Sequence, residues 1–296
     1  MENEQYTAII KDLFPEVEIG SLRRIEQGWD NVLLEIDEEL LFRFPRRLEQ
    51  EPQLLKEIRL LPRLAEILPL AVPYPSFVYA GGERYATPFF GYRKIGGVPL
   101  SKEHFASDPT QRLVRQLAGF LSALHRVPLQ LAREAGLPLT SAQQWREDYR
   151  RLFEQVRSEV FPRLDAPAQA KWSARWNEYL EQEENFRFSP VLVHRDLTGE
   201  HILCDPESLT VTGVIDWGDV TVGDAAIDFT GMLLDYGTTV TEQALHHYQA
   251  EVDDTLRGRA AFYAQLAPFY EVLYGLAIDN AGYVDQGLDR LHRDVT

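Results

Sequence analysis

Two stretches hold residues able to do chemistry in a fixed order. VLVHRDLTGEHILCD (191–205) carries an apolar, β-prone run into His194, Arg195 and Asp196, then resumes an apolar run after His201. TVTGVID (210–216) follows and ends in Asp216. Polar residues where a strand gives way to a loop are where binding and catalytic groups concentrate. HILCD reads as a strand, Pro206–Leu209 as a turn and TVTGVID as a return strand with alternating apolar residues. A hairpin of that length brings Asp216 towards Asp196 and His201. Two acids in separate roles suit phosphoryl transfer. One carboxylate orients an incoming hydroxyl and accepts its proton, while the other holds Mg2+ against nucleotide phosphates. The alternatives are a hairpin with solvated acids at its ends, or a hydrolase using His194, Asp196, His201 and Asp216 as transition-metal ligands. The sequence lacks an HxHxDH or HExxH run.

These groups need a scaffold on both sides. SLRRIEQGWDNVLLEID (21–37) and ELLFRFPRR (39–47) read as strands joined by a turn at Asp37–Glu39, and PSFVYAGG (75–82) and YATPFFGYRKI (85–95) as two more. Between them, Leu54, Leu55, Ile58 and Leu61 fall at helical spacing, with Pro52 suited to a first turn. Pro62 predicts an end or a kink in that helix. GGVPL (96–100) is a glycine-proline break, taken as the boundary between residues 1–95 and 96–296. Beyond it the chain reads mostly helical. Leu113, Leu117, Phe120, Leu121 and Leu124 share a face, and Phe262, Leu266, Phe269 and Leu273 form a core stripe rather than a pocket. The layout is α+β: a small β-rich lobe, a hinge, and a larger helical lobe with a small β insert.

Composition narrows the function classes. The 296 residues are 45% hydrophobic, enough for a sizeable core. No run of about 18 apolar residues predicts a membrane span, and the polar N-terminus lacks the pattern of a secretory signal. The single cysteine, Cys204, excludes an internal disulfide and fits a reducing, cytoplasmic setting. A net charge of -16 repels nucleic acid and anionic membranes and would attract a cationic partner, although solubility alone accounts for it equally. The absence of GxxxxGK[ST] excludes a P-loop.

The combined pattern resembles the aminoglycoside phosphotransferase family, relatives of protein kinases. HRDLTGEH (194–201) is similar to its catalytic loop, IDWG (215–218) stands where protein kinases have DFG, and GDAAIDF (223–229) matches a further segment. LLFRFPRR, KEIRLL and FFGYRKIGGVPL resemble the aminoglycoside 2''-phosphotransferases in order and spacing. The resemblance implies a two-lobed, protein-kinase-like fold, with Asp196 as catalytic base, Asp216 as metal ligand, Asp228 bracing the catalytic loop and His194 structural. His201 stands where kinases have a metal-binding Asn. It either binds the ion or shapes the loop, and Mg2+ itself prefers oxygen ligands. Arg43 replaces the usual Lys opposite Glu57. It either clasps phosphates and Glu57 or marks weakened nucleotide binding, since its planar fork is not a compact ammonium. The other reading of Arg43 is an exposed residue on an edge strand. Gly28 would lie in the loop over the phosphates, and Tyr92, Lys94 and Ile95 in the hinge that reads the base. Asp219, Asp235, Tyr270, Glu271 and Asp279 are the residues expected to line the acceptor site, where acids would meet ammonium groups. The implied cofactors are Mg2+ and ATP or GTP. The acceptor is an aminoglycoside, with macrolide, choline or another small hydroxyl compound as alternatives, and a non-catalytic nucleotide-binding relative as a further one.

Overall fold

The computed structural model describes residues 2–25, 31–105 and 110–293. The N-terminal part starts with helix α1 (Asn3–Leu13), followed by β1 (Leu22–Ile25), β2 (Asn31–Ile36) and β3 (Leu40–Pro45). Helix α2 (Glu51–Ala65) precedes β4 (Phe77–Tyr79) and β5 (Phe89–Arg93). The five strands form one antiparallel sheet in the order β1-β2-β3-β5-β4.

Period-two alternation divides the two faces of this sheet. Phe42 and Phe44 on β3 and Phe89 on β5 pack with Tyr6 and Ile10 of α1 in one buried cluster. Leu41 on β3 and Phe90 and Tyr92 on β5 belong instead to the main core with α2. Arg43 shares the parity of Leu41 and therefore faces α2. It lies on a central strand, paired with Leu33 on one side and Phe90 on the other. The edge-strand alternative for Arg43 is thus corrected: strands flank it on both sides, and its side chain is 8% exposed.

Helix α2 does not end at Pro62, one of the two expectations there, but runs through it to Ala65. Proline removes one backbone hydrogen bond and normally costs a helix about 3 kcal/mol. Here Leu54, Leu60, Leu61 and Leu64 are all buried on the same helix, and Pro62 comes only one turn before its end. Packing of the apolar stripe on both sides of the proline outweighs the local penalty.

Past Gly96 and Gly97 the chain leaves the five-stranded sheet. Strand β6 (Val98–Pro99) pairs with β8 (Ile202–Asp205), which pairs with β9 (Thr210–Val214). Helix α3 (Thr110–Leu124) packs on β9, and α4 (Leu129–Ala135), α5 (Ala142–Glu159) and α6 (Ala166–Glu181) follow it in the chain. Strand β7 (Val191–Val193) pairs with β10 (Thr221–Gly223). Helices α7 (Ala226–His247), α8 (Leu256–Gln265), α9 (Ala267–Ala277) and α10 (Ala281–Arg293) complete the helical part. Its core is aromatic: Trp176 stacks on Phe153 at 5.0 Å, and Tyr179 on Phe262 at 3.6 Å. Phe262, Leu266 and Phe269 are buried, as a core stripe requires.

Candidate active site

The hairpin β8–β9 brings the two acids and the histidine together. His201 Nδ1 lies 3.3 Å from Asp196 Oδ2, and His201 Nε2 lies 3.6 Å from Asp216 Oδ2. The hairpin is closed by the Ile215 amide, which donates to the His201 carbonyl at 2.9 Å. Asp196 and Asp216 are about half-exposed (44% and 48% of their side chains), so both remain open to solutes.

Two residues here adopt left-handed backbone, Arg195 at φ 73 and Asp216 at φ 59. Non-glycine residues pay for this conformation, and they keep it only where surrounding bonds over-determine it. For Arg195 those bonds come from Asp228 on α7, which accepts the His194 amide at 2.9 Å and the Arg195 amide at 2.7 Å. Asp228 is fully buried and also accepts from His125 Nε2 at 3.0 Å, while His125 Nδ1 pairs with the Tyr248 hydroxyl at 2.6 Å. Nothing in the motifs singled out His125. Its only signal is a polar residue just after the apolar stripe of α3.

His194 is fully buried and commits both ring nitrogens. Nε2 donates to the Ile215 carbonyl at 3.0 Å, and Nδ1 accepts the Asp196 amide at 3.4 Å. Its ring packs against Trp217 at 4.8 Å. Burial pushes its pKa down, which favours the neutral ring. A four-ligand hydrolase centre using His194 is therefore not assembled. Among the described residues no group of three or more His, Cys, Asp or Glu side chains is arranged to hold a metal by itself.

Arg43 reaches across the cleft. Its Nη1 bonds Glu57 at 2.8 Å, and its Nη2 bonds Asp216 at 3.3 Å. Glu57 is 1% exposed and lies on the buried stripe of α2 with Leu54, Leu61 and Leu64. Tyr92 is buried beside this group, and burial raises its hydroxyl pKa to about 12. Gly28 falls outside the described residues.

The sequence profile of the phosphotransferase enzyme family matches residues 21–263. The chain belongs to this family. Among solved structures, it is 31% identical to the GDP and kanamycin complex of APH(2'')-IIIa, with a TM-score of 0.89 over 98% of each chain. It also shares its fold with macrolide 2'-phosphotransferase type I, at 24% identity and a TM-score of 0.80 over 97% of this chain and 96% of that one. Viomycin phosphotransferase of Streptomyces vinaceus is 27% identical over 161 residues, 53% of this chain and 54% of that protein. The chain thus spans little more than half the length of the curated relatives it matches. The two-lobed kinase-like fold of this family is the one observed here.

Within that family fold, the electrostatics differentiate the acids. Burial and the neighbouring Asp219 and Asp216 carboxylates raise Asp196, outweighing His201 and His194. Burial also pushes Asp216 up, but Arg43, His201 and His194 more than offset it and hold the carboxyl below its usual range. The same surroundings thereby push the two carboxyls apart, Asp196 up and Asp216 down. His201 Nδ1 lies 2.8 Å from the Asp196 carbonyl, which can only accept, so Nδ1 carries the hydrogen. In the neutral ring Nε2 then turns its lone pair towards Asp216 at a distance too long for a hydrogen bond. An anionic carboxylate facing an imidazole lone pair fits a divalent cation, whose remaining positions phosphates and water would fill.

The hinge and acceptor residues fall into two groups. Lys94 donates its amide to the Glu39 carbonyl at 2.7 Å and its ammonium to Glu35 at 2.5 Å. Its side chain is thus tied to Glu35 on β2. Ile95 lines a cavity of about 510 Å³ with Gly96, Gly97, Asp205 and Thr212 at the outer end of the hinge. Asp219 lies near enough to Asp196 to shift its pKa. Tyr270 is 43% exposed and feels both Arg195 and Asp219. Glu271 is a correction: Arg290 of α10 holds its carboxylate at 3.1 Å, and its side chain is 14% exposed, so its charge is already matched inside the protein. Asp279 lies exposed at φ 54 in the α9–α10 turn. Asp235 bonds the backbone of the catalytic segment, as described below.

Proposed function

We propose that this chain transfers the γ-phosphate of ATP or GTP to a hydroxyl of an aminoglycoside, the 2''-hydroxyl in particular. The observation that carries this reading is the convergence of Asp196, His201 and Asp216 opposite the Arg43–Glu57 pair. The nucleotide lies between a lobe ending near residue 95 and a lobe starting at residue 96, with hinge residues at its base.

In this reading Asp196 accepts a hydrogen bond from the acceptor hydroxyl and takes its proton as the oxygen attacks the γ-phosphorus. The raised pKa of Asp196 suits that duty, since a base works best when its pKa lies nearer the working pH. The bond from phosphorus to the β,γ-bridging oxygen breaks, and the nucleoside diphosphate leaves. Arg43 supplies fixed positive charge at the phosphate end, held in place by Glu57. Asp216 and His201 would hold Mg2+, which neutralises phosphate charge when bound. His194 and Asp228 keep the catalytic loop in its left-handed conformation.

The acceptor chemistry follows from charge. Asp219 is exposed, and the chain carries a net charge of -16. A polyamine sugar is attracted to such a surface by charge-assisted bonds. A second reading, a macrolide acceptor, draws on Leu234 (46% exposed), Tyr270 (43%) and Ile278 (37%), which give the C-terminal helices an apolar surface. No helix is long and apolar enough to cross a membrane among the described residues. A cytoplasmic location belongs to the proposal because nucleotide triphosphates are there.

The test is a phosphate-transfer screen of kanamycin, gentamicin and a macrolide with Mg2+, run with ATP and GTP in parallel. The expected product is a singly phosphorylated aminoglycoside, with the site read by NMR. Asp196→Asn should lower turnover by about 10²–10⁴-fold. An unchanged rate would sink the assignment, and nucleotide binding without any phosphorylated product would favour a non-catalytic relative.

A further inference from the structure

Helix α7 meets the catalytic segment at successive levels of one stripe. Asp228, Gly231 and Asp235 are three and then four residues apart, so they stack on one side of the helix over about 10 Å. Asp228 accepts the His194 and Arg195 amides. Gly231 lies so close to the next level that a Cβ there would be 2.0 Å from the Leu197 carbonyl oxygen. Asp235 Oδ2 then accepts the Gly199 amide at 2.6 Å. The order runs in register: 228, 231 and 235 on the helix against 194–195, 197 and 199 on the loop.

The far end of this stripe is tied in three directions. Gly199 opens the 3-10 turn Gly199–His201, so its position sets that of the His201 ring. The neighbouring Tyr236 is buried and donates its hydroxyl to the Leu100 carbonyl at 3.0 Å. The Leu100 amide in turn donates to the Gly199 carbonyl at 3.0 Å and to the Ile202 carbonyl at 2.8 Å. Gly199 has no room for a side chain, since a Cβ would lie 2.4 Å from the Leu100 oxygen. Regular helix stops at the next residue, Gly237, at φ 83 and ψ 176.

We propose that Asp235 is a positioning residue for the metal-facing turn, the last clamp of a helical template, rather than a charge that recognises the acceptor. Gly199 is buried, so its amide needs an acceptor inside the protein, and Asp235 supplies it. Removing that acceptor frees the turn to shift. His201 would then lose its alignment with Asp216 although every side chain of the centre is still present.

The inference rests on the phosphotransferase reading, and two substitutions test it. Asp235→Asn keeps a carbonyl oxygen for the Gly199 amide and removes the charge, whereas Asp235→Ala removes both. The first readout needs no acceptor: the Mg2+ concentration that half-maximally tightens binding of a non-hydrolysable GTP analogue, by calorimetry. Asp235→Ala should raise it by about 10–100-fold, the usual loss when a group supporting a metal ligand is removed, and Asp235→Asn should stay within about threefold of wild type. The second readout is the Gly199 amide proton in a ¹⁵N-resolved spectrum, which should move strongly upfield in Asp235→Ala and less in Asp235→Asn. The third is KM for kanamycin, expected within about threefold of wild type in both. An unchanged Mg2+ requirement in Asp235→Ala overturns the proposal. So does an equal rise of KM in both variants, which would mark an acceptor-binding charge. If Asp235→Ala fails to fold, Asp235→Asn decides alone: an unchanged KM supports positioning and a raised one overturns it. If wild type phosphorylates no acceptor, the functional reading fails, while the Mg2+ and amide readouts still judge the clamp.

Discussion

Arg43 joins Glu57 and Asp216 through different nitrogens, Nη1 at 2.8 Å and Nη2 at 3.3 Å. A guanidinium can do this because its donors diverge in a rigid plane, whereas an ammonium is a single point. Burial works against the Arg43 charge, but Glu57 and Asp216 outweigh it and raise its pKa. Arg43 therefore links the helix α2 carboxylate of Glu57 directly to Asp216 at the end of the hairpin. Its ring contact with Phe90, at 5.8 Å, holds the fork on the same face.

Arg43→Met is predicted to cost about 3 kcal/mol or more, because it takes the cation from a carboxylate that is 1% exposed. The urea midpoint should fall with an unchanged slope. Adding Glu57→Leu should recover much of the loss, as apolar replacement of both members of a buried pair often does. Arg43→Lys should keep more stability than Arg43→Met but bind nucleotide more weakly than wild type.

The pH dependence of kcat/KM should report Asp196. The carboxylate must be deprotonated to accept a proton, and its pKa is raised, so activity should fall on the acid side at a pH above the ordinary Asp range. Asp219 contributes to that raised value, so Asp219→Asn should move the acid limb to lower pH. A limb that stays in place would show that Asp219 does not act on Asp196.

Gly231→Ala places a Cβ where the Leu197 carbonyl oxygen stands, at 2.0 Å. Backbone must move, and the Leu197 carbonyl is one residue past Asp196. Turnover should drop by about 10²-fold, the scale of a misplaced catalytic group, with a clear loss of thermal stability. Gly119→Ala on α3, where a Cβ meets open space, is the control and should leave both unchanged or slightly improve stability.

Asp253 stabilises the fold through Arg259, which bonds it at 2.7 Å and is itself 1% exposed. Burial raises the Asp253 pKa, but hydrogen bonds from Arg259 and Thr255 outweigh that and bring it to about 2. A depressed folded-state value means the stabilisation is present above the ordinary carboxylate pKa and is lost as pH falls towards about 2. Asp253→Asn should lower the melting temperature at neutral pH, and the gap to wild type should narrow from about pH 4 downwards. A gap independent of pH would assign the effect to packing instead.

Residue type and short-range spacing determined much of this protein. The β8–β9 hairpin was legible because its turn and alternating apolar residues are local signals, and it brings Asp216 beside His201, while Asp196 is placed by the segment that Asp228 holds. The helical stripe of α2 was equally plain, but whether Pro62 would end the helix or only kink it was not, because long-range burial of Leu60, Leu61 and Leu64 carries the helix past a local signal. Tertiary structure alone decided which polar groups are spent within the protein. Glu271 looked like a free charge, and only folding revealed Arg290 beside it. His125 and Leu100 act on the segment 194–199 from 69 and 99 positions away in the chain, measured to His194 and Gly199, and Tyr236 and Leu100 are themselves 136 positions apart. A hydrogen-bond partner that distant leaves no periodicity in the sequence. The chemistry was therefore written in residue types along two short stretches, and its alignment depends on a helix whose contacts exist only once the chain has closed on itself.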